Sequence, residues 1–230
     1  MSNVGFRIFT KVNRPSKELL DQFRGIPASN ICDEMNRIGS VSARIKPVNN
    51  TPLVGPAFTV KEQLGDIMMI HKAIAMAEPG DVIVVDGQQG DVVNAMLGEL
   101  MVHWMISRGI AGIVIDGAIR DVDTLRTLEF PVYAAGITPK GPYKQGPGEI
   151  NVPINCGGVV VNPGDIVVGD ADGVVIIPAK DGLTVLEKAK AKFQKEIEIR
   201  AAIAKGMWNP EPTDEGLKEK GCEIIDGYYN

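Results

Sequence analysis

Short, nearly unbroken runs of apolar residues recur along the chain between clusters of Gly, Pro, Asp and Asn. They predict strands at 56–62 (PAFTVKE), 82–86 (VIVVD), 111–116 (AGIVID), 131–135 (PVYAA), 157–161 (GGVVV), 165–169 (DIVVG) and 173–178 (GVVIIP). Runs apolar at successive positions, rather than at alternate ones, belong to strands buried on both faces. Between these runs, segments with a plausible cap or a glycine stop predict helices over 17–23, 31–38, 66–77, 99–108 and 121–128. Ser16 stands before the first as a cap; Ser29 and Asn30 stand before the second, and Gly39 behind it. The last three strands have no helix between them and are separated by NPGD and DADG, which read as turns. The expected sheet system alternates with helices first and is antiparallel later. A long helix over 179–205 carries charges along its length, with apolar residues at Leu183, Leu186, Phe193, Ile197 and Ile203. From Gly206 the tail, with MWNPEPTDEG, is broken by proline and is expected to wrap a neighbour or pack on the surface. No repeat, low-complexity tract or interior linker interrupts the chain, which predicts one domain over 1–230.

Composition narrows the function classes. The 230 residues include 24 Lys and Arg against 29 Asp and Glu, a formal net charge of −5, which argues against nucleic acid as the main partner. With 44% hydrophobic residues the chain can bury a sizeable core, and disordered and fibrous classes are excluded. The 26 glycines fit frequent turns between short strands. The three cysteines Cys32, Cys156 and Cys222 make neither a disulfide framework nor a four-thiolate zinc site, so a reducing, cytoplasmic address is expected. The start MSNVGFRIFTKVNRPS has no uninterrupted apolar h-region, and no later run approaches the ~18 apolar residues of a membrane span.

The strongest local signal for chemistry lies between Asp86 and Asp121. Asp86-Gly87, with a loop containing Gly90, and Asp116-Gly117 follow two strands, and Arg120-Asp121 come within a turn of the second. Open α/β sheets place ligands just beyond the carboxyl ends of strands. The same residues also read as turn formers, a helix start with a favourable acid, and a surface salt bridge. Gly98-Glu99-Leu100-Met101 opens a helix whose free N–H groups can hold a small carboxylate. Taken together, Glu99 and Asp121 can hold a Mg²⁺-type ion while Arg120 grips a carboxylate or enolate oxygen, a set suited to a small 2-oxo acid. His71 lies in MMIHKAIAMA and His103 one turn after Glu99; without a third ligand both read as structural, His103 orienting Glu99. Lys61, Lys72, Lys140 and Lys144 are Schiff-base candidates, none in an evidently dry setting, and read as solvated. The cysteines read as buried small apolar residues.

The stretch GDVVNAMLGELMVHWMISRGIAGIVIDGAIRDVDTLRTLEFPVYAAG, with NVPINCGGVVVNPGDIVVGDADGVVIIP after it, resembles the RraA-like family. That family includes the class II 4-hydroxy-4-methyl-2-oxoglutarate / 4-carboxy-4-hydroxy-2-oxoadipate aldolases. The resemblance runs from about residue 25 to 206, leaving 207–230 as a tail. It implies an α/β fold, a three-layer β/β/α swivelling domain with a long C-terminal helix, assembled as a trimer or hexamer with sites between subunits. It also implies Mg²⁺ or Mn²⁺ and an acid, twenty intervening positions, then Arg-Asp. Glu99 and Arg120-Asp121 meet that pattern, with Glu in place of the expected Asp.

By that resemblance Asp121 is the direct metal ligand, Glu99 holds metal-bound waters, and Arg120 contacts the 2-oxo acid. Gly98, Leu100 and Met101 line the carboxylate site through the N–H groups of Leu100 and Met101. A glutamate from the C-terminal helix of a neighbouring subunit, best matched by Glu196 and next by Glu198, completes it. A further acid of the pattern falls on Thr124, with Asp123 beside it. The activity implied is cleavage of a 4-hydroxy-2-oxo acid to pyruvate and a second oxo acid, with oxaloacetate decarboxylation on the side. The alternative is the branch that binds and inhibits ribonuclease E without catalysis; the intact Glu99/Arg120/Asp121 set favours an enzyme. A methyltransferase has no support in a glycine-rich cofactor loop.

Overall fold

A computed structural model of the chain describes residues 3–88, 94–208 and 213–228. The strands in chain order are β1 (Arg7–Ile8), β2 (Lys46–Pro47), β3 (Leu53–Glu62), β4 (Val82–Asp86), β5 (Gly112–Ile119), β6 (Val132–Ile137), β7 (Gly148–Ile150), β8 (Ile154–Cys156), β9 (Val159–Val161), β10 (Ile166–Asp170) and β11 (Gly173–Ile177). The helices are α1 (Lys17–Asp21), α2 (Ala28–Asp33), α3 (Met68–Met76), α4 (Glu99–Ser107), α5 (Val122–Leu125), α6 (Gly182–Ala204) and α7 (Thr213–Glu219). None is long and apolar enough to cross a membrane. Contacts divide the chain into two compact units, Met1–Ala191 and Lys192–Asn230. The second holds the end of α6 and α7, so the tail contains a helix as well as prolines; Pro210 and Pro212 lie outside the described residues.

In the first unit β3, β4, β5 and β6 pair side by side and parallel. β7 adds antiparallel to the end of β3 and carries β1, while β2 closes the other edge against β6. The beginning of β3 pairs antiparallel with β10, which turns back into β11, so β3 joins two sheets. Side-chain alternation separates the layers. Phe58, Val60, Ile83, Val85, Ile113 and Ile115 face Ile70 and Ile74 of α3 and Val102 and Met105 of α4. The intervening Ala57, Val82, Val84 and Val114 face Val167, Val174 and Ile176 of the β10–β11 hairpin and Ile154 and Val161 of the β8–β9 hairpin. The other face of β10–β11 packs Ile166, Val168, Val175 and Ile177 on Phe23, Ile31, Leu186 and Ala189. The three-layer α/β arrangement is therefore present, with α1, α2 and the start of α6 as an outer cover. Each central strand feeds two cores, which is why its run is apolar at every position; a fully buried Val or Ile stabilises by about 1.5–3 kcal/mol.

Several elements differ from the sequence expectation for identifiable reasons. β5 continues through Ile119, so Asp116-Gly117 lies inside a strand rather than in a turn. The glycines of the two Asp-Gly pairs serve packing: a Cβ on Gly87 or Gly117 would come within 2.9 or 2.8 Å of Met96 Sδ. The segment 157–161 is the turn and second strand of a hairpin, since Gly157 and Gly158 have φ of 56° and 86°. α2 begins at Ala28, and Asn30 is buried within it, because Asp170 on β10 accepts the Ala28 N–H at 2.8 Å. On α6 only Leu186 of the expected apolar positions is buried; Leu183, Ile197 and Ile203 are exposed.

Candidate functional site

The cleft between α4 and the end of β5 arises from a short extension of the sheet. Residues 95–97 run alongside the last residues of β5: Ala95 bridges Ala118 in parallel, Met96 N–H donates to Ala118 O at 2.8 Å, and Arg120 N–H donates to Leu97 O at 2.9 Å. The chain then enters α4 at Gly98 on one side and leaves β5 at Arg120 on the other. This zipper brings Glu99 beside Asp121 although they stand 22 positions apart in the chain.

Asp121 occupies the left-handed region, φ 58° and ψ 34°, a conformation disfavoured for residues with a Cβ. Its carboxylate turns back across the cleft, and Oδ2 accepts the Glu99 N–H at 3.1 Å. Arg120 Nε lies 3.5 Å from the same oxygen. A Cβ on Gly98 would stand 2.6 Å from Asp121 Oδ2 and 3.2 Å from Arg120 Nε, so glycine permits this close approach. Of the first N–H groups of α4, that of Glu99 is taken by Asp121 and that of Met101 by Gly98 O at 3.1 Å. The Leu100 N–H has no hydrogen-bond partner among the described residues and stays available to a ligand.

These groups line a cavity of ≈ 380 Å³, with Gly98, Glu99, Leu100, Met101, Arg120 and Asp121 on its wall. Glu99, Arg120 and Asp121 also border an adjoining hollow that reaches Asp123, Thr124 and Arg126. His71 and Lys144 also line the first cavity, a convergence that no sequence motif indicates. Their convergence comes from α3 and from the loop before β7, elements far apart in sequence. Burial, and then the positive charge of Lys144, hold the His71 imidazole below its ordinary pKa, so it is neutral at neutral pH. Its ring meets Trp104 edge-on at 6.1 Å.

Other candidates fall elsewhere. Asp86 and Asp116 are register partners on β4 and β5 and share parity with Val84 and Val114, so they face the β8–β9 hairpin instead of the cavity. Asp116, fully buried, pairs with Arg44 and accepts the Gly157 N–H at 2.8 Å. Gly90 lies outside the described residues. His103 is exposed, and no hydrogen bond or ion pair joins it to Glu99 among the described residues. Lys61, Lys72 and Lys140 are exposed. Cys156 is buried in the second layer, where desolvation pushes its thiol pKa well up; Cys32 is half-buried and Cys222 exposed, and all three are free. Glu196, half-buried, and Glu198, exposed, belong to the Lys192–Asn230 unit.

Among the described residues no cluster of three or more His, Cys, Asp and Glu side chains could hold a metal. Glu99 and Asp121 thus offer two carboxylates and no closed cage. That donor set suits a hard ion of the Mg²⁺ or Mn²⁺ kind, which retains waters and shares its shell with a substrate.

The family model described as Aldolase/RraA, of the RraA-like type, matches residues 28–176. A protein of Halalkalibacterium halodurans named "Putative 4-hydroxy-4-methyl-2-oxoglutarate aldolase" is 46% identical over 176 residues, 76% of this chain and 83% of the relative. An uncharacterized Pseudomonas syringae protein of solved structure is similar with a TM-score of 0.73 at 28% identity, over 84% of this chain and 96% of that one. A Streptomyces coelicolor protein, described as an unusual member of the RNase ES inhibitor RraA family, has a TM-score of 0.71 at 29% identity, over 82% of this chain and 99% of that one. The matched region contains the whole cavity wall from Ile67 to Lys144, and the chain belongs to the RraA-like family.

Proposed function

We propose that this cavity binds a 4-hydroxy-2-oxo acid and that the protein is a divalent-metal aldolase releasing pyruvate and a second oxo acid, with oxaloacetate decarboxylation as a side reaction. The observation that carries the reading is the convergence of Glu99, Arg120, Asp121 and the open Leu100 N–H on one cavity. The Arg120 guanidinium supplies a planar fork for the 2-oxo acid, and the Leu100 N–H a donor for its carboxylate. Lys144 adds positive charge to the same wall. Asp121 and Glu99 would hold Mg²⁺ or Mn²⁺, which supplies Lewis-acid stabilisation of the enolate oxygen.

In the cleavage step the 4-hydroxyl proton passes to the Glu99 carboxylate through a water as the C3–C4 bond breaks. The electron pair enters the pyruvate enolate, whose oxygen Arg120 stabilises. Glu99 then returns the proton to C3. Decarboxylation of oxaloacetate passes through the same enolate. The name of the Halalkalibacterium relative supports this substrate class. Completion of the site by Glu196 of a neighbouring copy, in a trimer or hexamer, belongs to the same proposal.

Pyruvate release from a panel of 4-hydroxy-2-oxo acids and oxaloacetate tests the reading. Turnover is expected with Mg²⁺ or Mn²⁺, to vanish on chelation and to leave no borohydride-trapped lysine adduct; persistence after chelation, or an adduct at Lys144, overturns it. The second reading, a regulator that inhibits a ribonuclease, is favoured by the similarity to the Streptomyces protein. It requires inhibition that is unchanged by chelation and by Asp121→Ala.

A further inference from the structure

We propose that Asp66 is a positioning residue for the cavity: by clamping the loop of residues 143–146 to the first turn of α3, it places Lys144 and His71 on one wall. The two groups come from separate elements, and neither element alone determines where they meet. Asp66, at 1% exposure, stands between them. One carboxylate oxygen accepts the Met68 N–H at 2.8 Å at the start of α3; the other accepts the Gln145 N–H at 2.5 Å in the loop. The backbone continues the clamp, since Tyr143 N–H donates to Gly65 O at 2.8 Å and Ile67 N–H to Tyr143 O at 3.2 Å. Lys144 sits between Tyr143 and Gln145, both fixed in this way, and His71 follows Met68 on α3.

Helix capping alone does not account for Asp66. Glu62 already accepts the next two N–H groups of α3, Met69 at 2.8 Å and Ile70 at 3.1 Å, and His71 N–H begins the helical ladder to Ile67 O at 3.0 Å. Asp66 adds Met68 with one oxygen and commits the other to the loop. Burial works against its charge, yet the N–H groups of Gln145, Met68, Gly146 and Ile67 outweigh it and hold the carboxyl below its ordinary pKa. The clamp is thus an anion among donors, a setting in which each hydrogen bond is stronger than a neutral one. The other end of the same loop is fixed independently, by Ala95 N–H to Lys140 O at 2.8 Å and Asn94 Nδ2 to Gly141 O at 2.5 Å.

The test is Asp66→Asn, which keeps the volume but turns an N–H donor of the amide toward a backbone donor. It is read by proton NMR in a His103→Gln background, where His71 is the remaining histidine. The charged groups sharing the cavity with His71 are Lys144, Glu99, Arg120 and Asp121. If Asp66 positions Lys144, the His71 titration moves up toward the ordinary imidazole range in Asp66→Asn and in Lys144→Gln, and the double variant moves no further than the larger single one. Amide hydrogen exchange at Gln145 accelerates by roughly tenfold or more, while the Met69 and Ile70 amides, held by Glu62, stay protected. Gln145→Pro deletes the donor, leaves Asp66 in place and repeats the test from the loop side should Asp66→Asn not fold. A folded variant with the parental His71 titration and parental loop exchange overturns the proposal. The expected consequence for catalysis, a raised KM for the oxo acid with a smaller change in kcat, rests on the substrate reading above. If the NMR response appears without a KM change, the clamp stands and the substrate reading falls.

Discussion

Two sets of acids lie near the carboxyl ends of β4 and β5, and their fates differ. Asp86 and Asp116 stand opposite each other on neighbouring strands, buried and pointing into the second β layer. Asp116 is tied to Arg44 and the Gly157 N–H; Asp86 accepts the Gln88 N–H at 2.9 Å and the Asn155 N–H at 3.4 Å. Glu99 and Asp121 lie one step beyond regular structure, where the backbone bends into helices and the carboxylates reach open space. Strand parity decides the first outcome, because a side chain two residues from Val84 or Val114 must share its face. The left-handed turn at Asp121 decides the second. An acid at a strand end therefore holds layers together or faces an open cavity according to whether the strand has finished.

The contrast predicts opposite responses to equivalent truncations. Asp116→Ala leaves the buried Gly157 N–H without its acceptor and the half-exposed Arg44 without its partner, and should destabilise by about 2–3 kcal/mol, most of it from the unsatisfied buried donor. Asp121→Ala should cost about 1 kcal/mol, roughly one hydrogen bond, while removing metal-dependent turnover. Denaturant unfolding and pyruvate release on the same two variants check this; a stable Asp116→Ala or an unfolded Asp121→Ala breaks the comparison.

Glu62 extends the buried class to α3. Burial raises its pKa from 4.5 to about 7, against the pull of the Ile70, Gln63 and Met69 N–H groups, with the Asp66 charge adding to the rise. A folded-state pKa above the unfolded one means that the folded protein binds the extra proton, so stability is fullest below 4.5 and declines as pH rises to about 7. The decline should be at most about 3 kcal/mol, and Glu62→Gln should flatten it. Urea midpoints across this range measure the effect; a parent protein with no decline puts Glu62 with the open acids.

The smallest effect sharpens the site itself. Gly98→Ala adds a methyl at an extended φ of −144°, which alanine adopts without strain, but 2.6 Å from Asp121 Oδ2. Stability should hardly change, while turnover falls about tenfold, equivalent to about 1.4 kcal/mol of misplaced charge. Steady-state kinetics and thermal unfolding on this variant separate the two.

Legibility in the sequence follows the range of the forces involved. The run VIVVD matches β4 residue for residue, Ser16 does cap α1, and DADG does close the β10–β11 hairpin, since each is written in local pattern and turn chemistry. β1, β2 and β7 were not visible, being pieces of two or three residues that exist only because a longer strand offers them a free edge. α2 starts earlier than its own residues suggest because its cap comes from Asp170, far along the chain. Gly98, Glu99, Arg120 and Asp121 could be read as a candidate set, while nothing in the sequence joined the half-buried His71 on one cavity to Lys144, which is exposed as a solvated lysine should be.

What the amino-acid sequence by itself determined was the alternation of the central strands β3 to β6 with helices, the burial of those strands on both faces, and the presence of Glu99, Arg120 and Asp121 beside the ends of these elements. Those follow from periodicity, propensity and side-chain chemistry, which act within a few residues. Only the tertiary structure decided which acids are buried and which are open, that Leu100 keeps the free N–H, and that His71 and Lys144 share the cavity wall. Those depend on where β5 ends, on the parallel run of residues 95–97 beside it, and on a buried Asp66 joining α3 to a distant loop. Contacts of that kind form between segments whose spacing along the chain carries no periodic signal, so packing alone brings them together.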